Sequence, residues 1–544
     1  MNINMRKDLS NTLFTLTTTI IASLFIAALF VGCKQNNTED VMEATLPKSI
    51  TVSKGKFVDN YGRHVILNGI NVISKSKDQG YLVDEDSTLY TKLRDWGFNS
   101  VRFGIIWDGI EPEPGVYNEA YLEGIDQHIK WAADNNLFVV LDMHQDLYSV
   151  LYADGAPEWA TLTEGKPHKI GDIWSDAYML SEAVQTAFDN FWANTPVSDG
   201  IGLQDHYAQM WQHVARRYAY NPTVIGYDLM NEPFPGTPAQ EMMPTMLTAY
   251  GKMIYETTGK VLSELELVLM WSNLEERGKL LKNLESKENF ATVIDALFPL
   301  NREFEAHKVQ PFYQKVSDAI REVDKSSILF LEHAYLSNMG IRSSIARTTL
   351  VDGTPDSLLA YAPHGYDLVT DTENASDASH ERLSFIYNRL QETAKTLNMP
   401  VWLGEWGAFY RHDEGIVPVA QHAVKQIETH LFGNAYWSYD SRMDDLAYFK
   451  QALVRPYPAY TNGELLEYNY DRESKTLTMI WQEDKDSDTP TLLFVPSLAK
   501  DALGKIDKSF DAKIERIPNS SSGWLVVAPL GSGEKRKLVV RMTK

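Results

Sequence analysis

Eight short apolar runs recur between residues 65 and 439. They are Val65 to Val72, Ser100 to Ile106, Leu137 to Met143, Val224 to Met230, Ile328 to Glu332, Leu358 to Ala362, Val401 to Glu405 and Ala435 to Tyr439. Continuous apolar runs of this length, bounded by turn residues, fit strands covered on both faces. Between them lie helical patterns: Ser87 to Trp96, Glu119 to Asp134, Ser181 to Tyr218, Phe312 to Val323, His380 to Leu397 and Val419 to His430. Strand alternating with helix implies a parallel sheet with helices outside, and eight such units match the α/β architecture of a TIM (β/α)8 barrel.

A barrel of this kind builds its chemistry where the strands end. Strand three runs into His144-Gln145-Asp146 and strand four into Asn231-Glu232-Pro233. Strand six leads to His364-Gly365-Tyr366, strand seven to Glu405-Trp406, and strand eight carries Trp437. Arg102 lies within strand two. Each of these alone fits a core or rim group; their shared position at strand ends is what that reading leaves unexplained. Glu232 and Glu405, each followed by a proline or glycine turn, supply the two carboxyls of a double-displacement glycosidase. One protonates the leaving oxygen and the other attacks the anomeric carbon, which requires the two groups about 5 to 5.5 Å apart. A third carboxylate, Glu332 at the end of strand five, is the alternative nucleophile.

Asn231-Glu-Pro and the later Gly404-Glu-Trp-Gly407 resemble glycoside hydrolase family 5. Within it, Asp142-Met-His-Gln-Asp-Leu-Tyr-Ser149, Asn231-Glu-Pro-Phe-Pro-Gly236, Ala362-Pro-His-Gly-Tyr-Asp367 and Arg455-Pro-Tyr-Pro458 are similar to the endoglycoceramidase branch, the stretches spanning about residues 57 to 458. The resemblance implies a retaining β-glycosidase that cuts between glycan and ceramide. Glu232 is then acid and base in turn and Glu405 the nucleophile. Arg102 keeps Glu405 ionised or oriented, Tyr366 hydrogen-bonds it, and Trp437 forms an apolar platform for the sugar. His144, Asp146, Asn231 and His364 are expected to read sugar hydroxyls, joined by a lysine after strand one, Lys75 in preference to Lys77. Soluble β-glucans or oligosaccharides, simple glucosylceramide and steryl glucosides stand as alternative substrates, and a non-catalytic carbohydrate-binding lipoprotein as a remote one. No metal or nucleotide cofactor has support, because His-Glu-x-x-His and a glycine-rich phosphate loop are both missing. No obligatory protein partner is evident.

The remainder of the 544 residues surrounds this unit. Residues 48–455 are expected as the catalytic barrel, with a helical insertion at about 238–300 whose apolar faces either pack on the barrel or handle an acyl chain. Residues 456–544 read as an antiparallel β-sandwich of short strands. At the other end, Arg6 and Lys7 precede an apolar segment from about Leu13 to Val31 and then Gly32-Cys33, Cys33 being the only cysteine. That layout is similar to a bacterial lipoprotein signal: a signal peptide over 1–32, a lipid on Cys33 and a tether over 33–47, with an uncleaved anchor as the alternative. It implies an exported enzyme held by an N-terminal lipid anchor at a bacterial membrane. The formal net charge of -22 argues against a nucleic-acid partner, which clustered Lys and Arg would serve.

Overall fold

The computed structural model describes residues 43–542, apart from 172, 273, 371, 373, 410–413, 499–502 and 507–509. The expected signal peptide, Cys33 and most of the expected tether lie outside the described residues. Eight parallel strands form one row: β1 (Asn68–Val72), β2 (Ser100–Ile106), β3 (Phe138–His144), β4 (Val224–Asp228), β5 (Ile328–Leu331), β6 (Leu359–Tyr361), β7 (Trp402–Leu403) and β8 (Gly433–Tyr436). β8 pairs back onto β1 with Asn434 opposite Asn68. The remaining seam closes where Tyr361 N–H donates to Pro400 O at 3.0 Å and Tyr361 bridges Val401 in parallel. The strands are buried along their whole length, because helices cover the outside and side chains fill the inside.

Several boundaries differ from the sequence expectation, each for a physical reason. The apolar run from Val65 to Val72 serves two sheets: His64–Val65 pairs antiparallel with Tyr457–Thr461, and only Asn68 onward enters the barrel. Residues 50–65, expected at the start of the barrel, thus join the C-terminal sheet. The helical pattern from Ser181 to Tyr218 is two helices, Glu182–Trp192 and Leu203–Tyr218, interrupted around Pro196, whose missing N–H cannot continue a helix. β7 stops at Leu403, and Glu405–Trp406 pairs instead with His364–Gly365. Gly404 sits at that break, where an added Cβ would lie 3.1 Å from His364 Nε2. Glycine lets the two strand ends close on the histidine.

Beyond the barrel the described residues form two antiparallel sheets, one of seven strands and one of four. Alternate residues of Glu464–Asp471, Thr476–Gln482 and Lys535–Met542 turn inward, so that Leu465, Leu477, Met479, Trp481, Leu538 and Val540 are buried while their neighbours face water. A buried ion pair fastens this module to the barrel: Arg455 Nε donates to Glu428 Oε1 at 2.7 Å, from the chain leaving the barrel to the helix Ile416–His430. Among the described residues, the expected insertion holds the α-helical stretches Met242–Thr258, Glu264–Ser272, Leu274–Asn283, Lys287–Asp295 and Phe298–Phe304. Its Met242, Leu247, Tyr250, Met253, Ile254 and Leu267 are buried, whereas Leu265, Val268 and Leu269 stand exposed. Among the described residues no helix is long and apolar enough to cross a membrane.

Candidate active site

Arg102 sits at the centre of the C-terminal mouth of the barrel. Residues alternate between inside and outside along each strand, so Arg102 on β2 and Asp142 and Asp228 on β3 and β4 all face the lumen. The guanidinium is fully buried. Its Nε donates to Asp228 Oδ2 at 2.9 Å, Nη1 to Glu405 Oε1 at 2.8 Å and to Asn71 Oδ1 at 3.1 Å, and Nη2 to Glu332 Oε1 at 2.7 Å and Asn231 Oδ1 at 3.0 Å. Asp142 Oδ1 lies 2.9 Å from Nη2 without a hydrogen bond's alignment, so that contact is one of charge. A fixed cation with five N–H donors is the side chain that can serve so many acceptors at once.

Glu405 and Glu232 converge beside it. Glu405 Oε1 accepts from Arg102 Nη1, and Oε2 accepts from Tyr366 Oη at 2.9 Å. Glu232 Oε1 lies 2.8 Å from His364 Nδ1 and accepts from Asn338 Nδ2 at 2.5 Å. Its Oε2 makes no hydrogen bond among the described residues. One oxygen of Glu232, one of Glu405 and a ring nitrogen of His364 all fall within 4.8 Å of one another. Burial pushes the Glu405 carboxyl up to about 8, against the opposing pull of His364 and Arg102, while Glu232 and Glu332 add to the rise. Burial likewise lifts Glu332 to about 8. So many carboxyls crowded round two cations cannot all be ionised together, and protons are shared among them.

A second cluster lines the mouth on the β3 side. His144 Nδ1 lies 2.8 Å from Asp142 Oδ2, and its ring stacks on Trp437 with centroids 5.1 Å apart and planes 11° off parallel. Burial first, then the Lys75 charge, holds His144 well below the usual imidazole range. The neutral ring therefore donates from Nδ1 to Asp142, and its buried Nε2 has no hydrogen-bond partner among the described residues. Lys75 pairs with Asp146, stands 3.7 Å from Asp154 and lies 4.8 Å above the Trp437 ring centroid. Lys77 turns away to Asp108 at 2.8 Å.

The profile of Cellulase (glycosyl hydrolase family 5) matches residues 58–442, most of the chain. The chain belongs to glycoside hydrolase family 5. A Glycoside hydrolase family 5 C-terminal domain follows over residues 455–530. Among curated relatives, the endoglycoceramidase of Cyanea nozakii is 33% identical over 227 residues, 36% of this chain and 43% of that protein. Endoglycoceramidase I of Rhodococcus hoagii is 23% identical over 461 residues, 81% of this chain and 78% of that protein. Among solved structures, endo-glycoceramidase II from Rhodococcus sp. superposes with a TM-score of 0.67 at 26% identity, covering 90% of this chain and 99% of that one. That protein has also been solved as a lactosyl-enzyme intermediate and with ganglioside GM3.

Against this family 5 frame, the residues expected from the sequence divide. Glu232, Glu405, Arg102 and Tyr366 meet at one point, and His144, Asp146, Lys75 and Trp437 at a second. His364, expected to read a sugar hydroxyl, is wholly buried behind the carboxyls, 3.2 Å from Glu332 and 3.5 Å from Glu405 in addition to Glu232. Asn231 is engaged at both ends of its amide, by Arg102 and by Gln145 O at 3.0 Å. Glu332, the alternative nucleophile, is fully buried with both oxygens taken by N–H groups, which leaves no open oxygen for attack. Asn71, Asp142, Asp228 and Asn338 carry no assigned role in the sequence expectation. For Asp142 and Asp228 a signal existed, since a carboxylate inside an apolar strand needs a cation across the lumen. For Asn338, in the turn Tyr335–Met339 after β5, none did.

Proposed function

We propose that this chain is a retaining glycosidase that hydrolyses the bond between the glycan and the ceramide of glycosphingolipids. The observation that carries the mechanism is the approach of Glu232 and Glu405 to within 4.8 Å, oxygen to oxygen. That separation falls short of the about 6.5 to 9.5 Å at which inverting enzymes hold their carboxyls apart, and suits direct attack. Glu405, held at both oxygens by Arg102 and Tyr366, attacks the anomeric carbon. Glu232 gives its proton to the leaving oxygen from Oε2, the atom its neighbours leave free. It then takes a proton from water, which attacks the glycosyl ester and returns Glu405 to its carboxylate with retained configuration.

The substrate class is supported by the relatives, endoglycoceramidases on sequence and in structure, and by the rim. The loop after β3 exposes Ile170, Trp174 and Leu180, and the insertion after β4 exposes Val261, Leu265, Val268 and Leu269. Both follow barrel strands at the end where the site lies, and exposed apolar side chains there suit a lipid aglycone. Each methylene sheltered from water gains about 0.8 kcal/mol, so four of them, about 3 kcal/mol, favour a lipid aglycone by more than a hundredfold in binding. The lipid-anchor reading of Cys33 belongs to the same proposal, since a tethered enzyme meets its substrate in a membrane. Product analysis by thin-layer chromatography and mass spectrometry on GM3, lactosylceramide, glucosylceramide, a steryl glucoside and cellotetraose tests it. Intact oligosaccharide plus ceramide is the expected pair, and faster cleavage of cellotetraose than of any glycolipid contradicts the reading.

A further inference from the structure

Glu332 takes no part in the bond-making steps of this reaction, yet it touches both reacting carboxyls' supports. Glu332 follows β5, is fully buried and presents no open oxygen to a sugar. Its Oε2 accepts the backbone N–H of Glu232 at 2.8 Å. Its Oε1 accepts Nη2 of Arg102 at 2.7 Å and lies 3.2 Å from His364 Nε2. Each of these three neighbours leads to a reacting group.

The Glu232 backbone has φ +47°, in the left-handed region that residues with side chains rarely adopt and that persists only where surrounding contacts impose it. The Glu332 oxygen on its N–H is one such contact. His364, whose Nδ1 meets the Glu232 carboxyl at 2.8 Å, faces Glu332 with its other nitrogen. Arg102 carries Glu405 on Nη1 at 2.8 Å. A single buried carboxylate thus references the backbone and the ring that aim Glu232 to the guanidinium that holds Glu405.

We propose that Glu332 is a positioning residue that sets the Glu232 carboxyl at the glycosidic oxygen, acting through the Glu232 N–H and His364. The proposal rests on the retaining-glycosidase reading above. Glutamine at 332 keeps the shape but offers one acceptor oxygen where two N–H donors converge, so one contact becomes N–H against N–H. Aspartate keeps both acceptors on a shorter stem. A displaced Glu232 fails twice, as acid toward a poor leaving group and as base toward water. A leaving group that needs no proton still departs, so the glycosyl ester on Glu405 forms and then stalls. Azide needs no base. It attacks the anomeric carbon, a C–N bond forms as the C–O bond to Glu405 breaks, and the electron pair returns to the carboxylate.

The experiment compares wild type, Glu332→Gln and Glu332→Asp on lactosylceramide and on 2,4-dinitrophenyl lactoside, with and without sodium azide. No turnover of either substrate by wild type ends the glycosidase reading itself, whatever the variants do. Given wild-type turnover, Glu332→Gln is expected to lose on the order of a hundredfold or more on lactosylceramide but less than about tenfold in kcat/KM on the activated lactoside. Azide should raise its kcat on the activated substrate and yield lactosyl azide, and Glu332→Asp should fall between it and wild type. Equal losses on both substrates with no azide effect, as a merely structural role gives, overturn the proposal, and so do wild-type rates. Where circular dichroism shows Glu332→Gln unfolded, Glu332→Asp carries the same comparison and decides.

Discussion

At the residue scale the site is a problem of charge, solved by burying one permanent cation among acids. Removing one partner of a buried pair leaves the rest uncompensated. Arg102→Met is therefore expected to cost activity by several orders of magnitude and stability by at least about 3 kcal/mol, measured by kcat/KM and by urea unfolding. Near-wild-type stability would mean that Asp142 and Asp228 simply take up protons. Glu405→Gln should abolish the glycosyl ester, while Glu232→Ala should keep slow turnover of activated substrates, with losses of several orders of magnitude on natural ones. A Glu232→Ala variant equally dead on both substrate types contradicts that division of labour. Because Glu405 must be ionised to attack and burial lifts it to about 8, the acidic limb of kcat/KM should lie above the ordinary carboxylate range. Much of this was legible in the sequence, since Glu232, Glu405, Arg102 and Tyr366 all sit in or at the ends of recognisable strands. What was not legible was which residues face the sugar and which face each other. His364 looks like a ligand-reading histidine in sequence, yet the break at Gly404 tucks it behind the carboxyls.

At the element scale the strand and helix periods gave the barrel, and the errors fell where one apolar run crosses between sheets. Val65 to Val72 carries Asn68-Gly69 just where β1 begins, but apolar residues on both sides make the run read as one strand, and the turn signal is lost in it. The insertion was legible as helices, but not which apolar residues would be left uncovered. Those residues carry a prediction: Leu265→Ser combined with Val268→Ser should lower kcat/KM on long-chain glycosylceramides while leaving a dinitrophenyl lactoside unaffected, as parallel assays would show. Equal loss on both would return those side chains to packing. The joint between the modules carries another. Glu428→Ala strands Arg455 without its partner in a buried place and also removes the acceptor of Tyr470 N–H at 3.1 Å. It is expected to destabilise the protein by about 3–5 kcal/mol in chemical unfolding. A loss under about 1 kcal/mol, the size of an exposed pair, would show that water reaches the joint.

At the scale of the whole molecule, the buried acids set how stability responds to pH. Glu332 and Glu405, and Asp154 beside Lys75, have folded-state values near 8, above those of the unfolded chain, so the native state binds more protons than the unfolded one in the interval between. Their contribution falls as pH rises toward about 8. Below about 6.5 the buried His64 and His128 and the half-buried His422, all held neutral by desolvation, oppose that trend, since the unfolded chain takes up protons there that they do not. The expected result is a thermal midpoint that declines between pH about 6.5 and about 8, and a midpoint rising through that window contradicts it. For the membrane reading, Cys33→Ser should release the protein to the soluble fraction with unchanged activity on soluble analogues, whereas retention with residues 13–31 intact would mean an ordinary anchor. The central claim is covalent catalysis by this pair of carboxyls, and the most direct measurement is peptide mass spectrometry after inactivation with a 2-deoxy-2-fluoro lactoside bearing a dinitrophenyl leaving group. One fluorolactosyl adduct, on Glu405, is the expected result; an adduct on Glu332 contradicts that assignment, as does turnover without any adduct and with an inverted anomeric product by NMR.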